Sequence, residues 1–186
     1  MQYVNAFNGV IIQVPDDHSI APHGLMHEGI VSTQIGLPGK PALAEEIMVT
    51  RDLSLAKYTG SRIHITGISL SSSLDMIRKA KDEGIQVTCS CTPHHLLFTE
   101  NDLLNGYDTN LKVNPPLRSE VDRNALIRGV KDGTVDIGNK KKADIIANLE
   151  ELGYPKFVTG KSKSNDEDEE KEDEEEEEAG ATYDYV

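Results

Sequence analysis

The sequence predicts an α/β chain built around a parallel sheet, followed by a short helix and a disordered acidic tail. Three observations carry this reading. Short apolar runs alternate with helical periodicities in the order strand–helix–strand–helix–strand–loop–helix–strand, the pattern of right-handed crossover units. The charge is uneven: the formal net charge is -13, and Asp166–Glu178 holds twelve acids and one base, which leaves -2 for everything else. There is no Trp and the aromatic fraction is 5%, so the core must be aliphatic. Two architectures fit: a piece of a (β/α)8 barrel, or a small doubly wound sheet. No GxGxxG or GxxxxGK[ST] loop follows any strand, which weakens the nucleotide-binding version.

Each element has its own signal. Gly9–Val14 is a nearly continuous apolar run ending in Pro15-Asp16-Asp17, the pattern of a buried strand and a loop. Pro41 opens a helix with Glu45 and Glu46 early, where carboxylates favour the dipole. Leu43, Ile47, Met48 and Leu55 predict its apolar stripe, and Gly60 its C-cap. Arg62–Ile68 is the next strand. Ser72 and Asp75 have capping-box spacing before a helix lined by Leu74, Ile77 and Ala80 and ended by Gly84. Ile85, Val87, Cys89 and Cys91 alternate with polar residues as a strand does. Ser119 and Asp122 start a third helix carrying Ala125, Leu126 and Val130; Gly133 closes it before a strand at Thr134–Ile137.

Composition excludes several classes. Cys89 and Cys91 share one strand face, where a disulfide is poorly placed, and CxC without a second ligand pair is weak for zinc. They are expected to be reduced and structural. No stretch approaches the ~20 apolar residues of a membrane span. The start lacks a basic and an apolar leader region, so a soluble cytoplasmic protein is expected, without membrane or direct nucleic-acid binding. His18, His23, His27, His64, His94 and His95 show no compact ligand spacing. Adjacent His94 and His95 on an extended segment point apart. The strand ends where ligands would meet are Val14–Asp17, Thr66–Ser69 and Thr92–His95.

Pro22-His23-Gly24-Leu25-Met26-His27-Glu28-Gly29, Ala44-Glu45, Thr92-Pro93-His94-His95-Leu96 and Lys112-Val113-Asn114-Pro115-Pro116-Leu117-Arg118 occur in that order. Asp122-Arg123 and Asp132-Gly133-Thr134-Val135-Asp136 follow. The series resembles the second half of bacterial dihydroorotases, of the amidohydrolase superfamily, over residues 1–137. The resemblance implies a partial TIM barrel of the metal-dependent hydrolase type, with zinc as the family's cofactor. The reaction it implies is reversible cyclisation of carbamoyl aspartate to dihydroorotate in pyrimidine synthesis.

Carried over residue by residue, most of that chemistry is missing. Val14 stands where the family has a metal histidine in a His-Ala-Glu-Asp stretch, and Gly67 where it has one in a His-Ile-Ser stretch. Neither has a side chain that can donate to zinc. The family's HxH strand would precede Met1, and its catalytic Asp position runs into Gly138-Asn139-Lys140-Lys141. Asn114 matches a substrate-contacting Asn, although a turn role before Pro115 fits equally, and His64 matches a His beside the lost ligand. The resemblance therefore implies no catalytic residue, no metal ligand and no cofactor in this chain. It is similar to noncatalytic homologues that act as scaffolding partners of aspartate carbamoyltransferase. Open sheet edges add self-association as a second expected contact, and a half-barrel completed by another chain remains the rival.

After Ile137 the character changes. Lys140–Gly153 predicts an amphipathic helix with Ile145, Ile146, Leu149 and Leu152 on one side. Asn139–Ile146, Leu152-Gly153-Tyr154, an acidic insert and Ala181-Thr182-Tyr183-Asp184-Tyr185 resemble a stretch of eukaryotic type II DNA topoisomerase outside its nucleophile and metal motifs. Tyr183 and Tyr185 are thus not nucleophile candidates. A generic helix with a solubilising tail is the alternative. The two resemblances meet at Ile137-Gly138 as in a fusion or a chimeric reading frame. The expected units are 1–137, a helix and linker at 138–160, and an acidic tail at 161–186, which repels itself into disorder and could attract basic proteins.

Overall fold

The structure, a computed structural model, describes residues 1–106, 108–136 and 147. Three strands, β1 (Val10–Gln13), β4 (Arg62–Thr66) and β5 (Val87–Ser90), form a parallel sheet in the order β1-β4-β5. Its register pairs Ile12 with His64 and His64 with Thr88. A second, two-stranded parallel sheet pairs β2 (Met26–His27) with β3 (Gly39–Lys40) through the helix α2 (Ile30–Ile35). The remaining helices are α1 (Gln2–Asn5), α3 (Leu43–Thr59), α4 (Ser71–Asp82), α5 (Pro93–Leu97) and α6 (Glu120–Asp132).

Burial falls on one face of the sheet. Ile63 and Ile65 on β4 and Val87 and Cys89 on β5 are buried, as are Val49, Leu53 and Ala56 of α3, Leu74, Ile77 and Ala80 of α4, and Leu126 and Val130 of α6. Each such Val, Leu or Ile contributes about 1.5–3 kcal/mol relative to exposure. The opposite face carries Val10, Ile12, His64 and Thr88, none of them buried. Helices on one face only are the arrangement of a barrel wall; a doubly wound sheet would carry them on both. Helix α4 packs against α3, α6 and β5. Gly129 permits the α4–α6 approach, because a Cβ there would lie 2.7 Å from Leu74 Cδ2.

Local chemistry explains the termini. The Ser119 hydroxyl accepts from the Asp122 amide at 3.3 Å, and Gly133 ends α6 at φ 86°, as the residue pattern predicts. Gly60 ends α3 at φ 63°.

The strand expected to be buried, β1, leaves Val10 and Ile12 48% and 69% exposed, because no helix covers that face of the sheet among the described residues. The predicted α3 stripe of Leu43, Ile47, Met48 and Leu55 is not the buried face: Leu43, Ile47 and Leu55 are 51%, 41% and 42% exposed. The inward face is Ala44, Glu45, Val49, Asp52, Leu53 and Ala56, because small residues let the helix approach and Glu45 finds donors inside. Ser72 does not cap α4; Leu70 precedes the helix, and the Ser72 hydroxyl donates instead to Glu46 at 2.5 Å. Thr134–Asp136 is not a strand. Asp132 binds the Thr134 amide at 2.8 Å and the Val135 amide bonds Gly129, which leaves only the Asp136 amide to reach the Cys89 carbonyl, at 2.8 Å. Ile137 and the predicted helix at 140–153 lie outside the described residues, as do the linker and acidic tail.

Candidate functional site

The segment after β1, the end of β3, the start of α3 and the loop before α6 converge on one small cleft. Val14, Pro15, Asp16, Lys40, Asn114 and Arg118 are among the residues that line it. Asp16 lines it, with Lys40 Nζ 2.5 Å from Oδ1 and the Asn114 amide donating to Oδ2 at 3.3 Å. Burial opposes ionisation of Asp16, but the bonds from Lys40 and Asn114 outweigh it and hold the carboxyl below its ordinary range. The His18 imidazole lies 3.8 Å away and is itself exposed. The Asn114–Pro115 peptide bond is cis.

Arg118 organises a buried polar network. Its Nε donates to the Ser69 hydroxyl at 2.9 Å, and one terminal nitrogen donates to the Lys40 carbonyl at 3.2 Å and to His27 Nδ1 at 3.0 Å. The other lies 3.7 Å from Glu45, and both of these side chains are 2% exposed. Glu45 also accepts from the Ser69 hydroxyl, and from the Ser69 and Leu70 amides at 3.0 and 3.3 Å. One guanidinium thus ties α3, the β3 backbone, β2 and the loop after β4 together. Burial, reinforced by the Arg118 charge, pushes the His27 imidazole below its ordinary value, consistent with Nδ1 acting as an acceptor. Asp122, at the start of α6, ties that helix to the start of α4. It accepts from the Ser71 amide and hydroxyl at 2.9 and 2.8 Å and from Ser119 at 2.6 Å.

Val14 stands at the end of β1, 51% exposed. Gly67 ends β4 at φ 74°, a left-handed conformation that favours glycine, and an added Cβ would have only Pro115 Cδ near it, at 3.7 Å. His64 lies on β4, its ring nitrogens 2.8 Å from Thr88 Oγ1 and 3.1 Å from Ser90 Oγ. His94 and His95 stand in the short helix α5, not on the extended segment expected. His94 is exposed, whereas His95 is buried between Thr92 Oγ1 at 2.7 Å and the Pro115 carbonyl at 3.0 Å, a structural histidine that supports the Asn114 loop. His23 is exposed. Cys89 and Cys91 are free thiols, both pushed up to about 12 by burial.

These residues do not fit a zinc ion. Val14 and Gly67 offer no donor, Asp16 is engaged by Lys40, His27 by Arg118 and His64 by hydroxyls. Among the described residues no three His, Cys, Asp or Glu side chains converge to hold a metal. Sequence reasoning missed Lys40, Glu45 and Arg118 as organisers of the site. The only signal was their position inside or beside the kept Ala44-Glu45 and Asn114–Arg118 stretches.

Parallel β/α units with helices on one face of the sheet are the arrangement of a segment of a (β/α)8 barrel. The L-hydantoinase (dihydropyrimidinase) of Arthrobacter aurescens shares this fold over 73% of this chain and 30% of its own, with TM-score 0.61 and 24% identity. A dihydroorotase of Campylobacter jejuni shares it over 70% and 32%, with TM-score 0.51 and 15% identity. By sequence the chain is similar to the dihydroorotase of Leifsonia xyli subsp. xyli, 50% identical over 137 residues, which is 74% of this chain and 31% of that protein. It is likewise similar to the dihydroorotase of Pelotomaculum thermopropionicum, 48% identical over 137 residues, 74% and 32%. The chain spans about a third of the length of the curated relatives it matches. No family model matches it. The barrel fold and the dihydroorotase likeness agree with expectation. Tyr183, Tyr185 and the rest of the topoisomerase-like stretch lie outside the described residues. No helix among those described is long and apolar enough to cross a membrane.

Proposed function

We propose that the chain is a noncatalytic dihydroorotase-like segment whose role is exercised through protein contacts. The carrying observation is the pair of strand ends: Val14 and Gly67 offer no donor inside surroundings that otherwise keep the dihydroorotase pattern. The remaining polar groups at that end serve one another. Lys40 and Asn114 are held by Asp16, and Arg118 by Glu45, Ser69 and His27. Each of these described groups is engaged by a neighbour in place of a metal or a water. Asn114 remains the candidate ligand contact, since it is exposed and lines the cleft.

The test is turnover. The purified full chain, supplied with zinc, is incubated with dihydroorotate and, separately, with carbamoyl aspartate. No conversion above buffer is expected in either direction. A rate proportional to protein concentration would overturn the reading.

A further inference from the structure

Beside the cleft described above lies a second cavity, of about 260 Å³, between the loop after β1, Lys40 of β3 and the segment before Leu117. The two share Asp16, Lys40, Asn114 and Pro116, but neither Val14 nor Gly67 lines the second one. Its polar wall comes from His18, Lys40, Lys112, Asn114 and Asp16. Pro22, Leu25 and Val113 supply an apolar wall.

The walls are tied to the body by the fold itself. The Asp17 amide donates to the Ala44 carbonyl at 3.0 Å, and the Leu25 amide to the Pro38 carbonyl at 2.8 Å. Gly24 lets the loop press on β3, since a Cβ there would lie 2.7 Å from Lys40 Cβ. Lys40 is 8% exposed, and its ammonium has three donors, one of which Asp16 engages. Lys112 is exposed, and among the described residues no carboxylate forms an ion pair with it. Two ammonium groups therefore line the cavity against one carboxylate, a formal excess of +1. A cationic ligand would meet that excess, whereas a monoanion cancels it.

We propose that this cavity binds a small organic monocarboxylate. Lys112, the remaining donors of Lys40 and the Asn114 amide hold the carboxylate, and the body of the ligand lies on Pro22, Leu25 and Val113. The apolar wall selects an organic anion over an inorganic one. Ligand pockets commonly run from about 300 to 1,000 Å³, so this one takes a molecule on the order of ten non-hydrogen atoms. The inference rests on the reading of Asn114 as a ligand contact. It does not rest on the absence of catalysis.

The test is calorimetric titration of the full chain with benzoate, with benzamide as its neutral counterpart and inorganic phosphate as an anion without an apolar body. Benzoate should bind with a dissociation constant on the order of 1 mM or tighter, the scale such a small ligand reaches. Benzamide and phosphate should each bind about tenfold more weakly, and so should benzoate to Lys112→Ala, the scale of one charge-assisted hydrogen bond. Lys79→Ala, which removes the same charge from the exposed face of α4, should bind benzoate as the parent does. Circular dichroism checks that each variant folds, and His18→Ala repeats the comparison should Lys112→Ala fail to. No saturation by benzoate at about ten times that concentration would overturn the proposal. So would equal binding of benzamide or phosphate, or equal weakening by Lys79→Ala. Turnover of dihydroorotate would instead overturn the noncatalytic reading and leave this site standing.

Discussion

Arg118→Ala should be the most costly single change in the described body. The guanidinium donates to Ser69, the Lys40 carbonyl and His27 and faces Glu45, with 2% of its side chain exposed. Removing one member of a buried pair costs about 3–5 kcal/mol, because the partner charge stays buried without compensation. Glu45 retains donors from Ser69 and Leu70, which places the expected loss at the lower end, about 3 kcal/mol. A domain of this size has about 5–15 kcal/mol in all, so the variant should fold but melt much earlier. Exchanging both partners, Glu45→Met with Arg118→Met, should recover much of that loss, since no charge is then stranded. Urea denaturation followed by circular dichroism measures both, the chain having no Trp to report by fluorescence. A loss below about 1 kcal/mol for Arg118→Ala, the scale of an exposed pair, would refute the assignment of this network as a buried clamp.

Stability should fall between pH 7 and pH 5. His27 and His95 both have folded values lowered by burial, so the stability they contribute is present above about 6.5 and is lost as pH drops below it. Glu100, raised by burial and by Asp122, opposes the trend weakly. Melting curves at the two pH values should show the drop, and His27→Gln with His95→Gln should flatten it. Gly67→His should destabilise the chain by about 1–2 kcal/mol through its left-handed backbone alone, since the space beside it is open; an unchanged melting temperature would contradict this. Binding of the full chain to polylysine should require Asp166–Glu178. It should weaken steeply with salt as the Debye length shortens from ~30 Å at 0.01 M to ~8 Å at 0.15 M. Titrations of the parent and of a chain lacking that run check both points.

The strands β1, β4 and β5 and the helices α4 and α6 were legible because each repeats its period over enough residues. The two-residue strands β2 and β3 and the helices α2 and α5 are too short to leave one. The α3 face was misread because apolar residues surround that helix. The rule that carboxylates face water hid Glu45, which turns inward to the Ser69 and Leu70 amides. Thr134–Ile137 reads as a strand by composition, but the C-terminus of α6 captures the Thr134 and Val135 amides first. Asn114 could be found through its stretch. Its partner Asp16 lies 98 residues away, and the Asp16–Lys40 pair joins the loop after β1 to β3, so neither contact leaves a local pattern.

Val14 and Gly67 offer no donor to a metal at the strand ends. Equilibrium dialysis of the purified full chain against zinc, followed by elemental analysis, measures this directly. The expected result is no stoichiometric zinc, in the parent chain and in Asn114→Ala alike. One tightly held zinc per chain, lost on substituting His64 or Asp16, would contradict it.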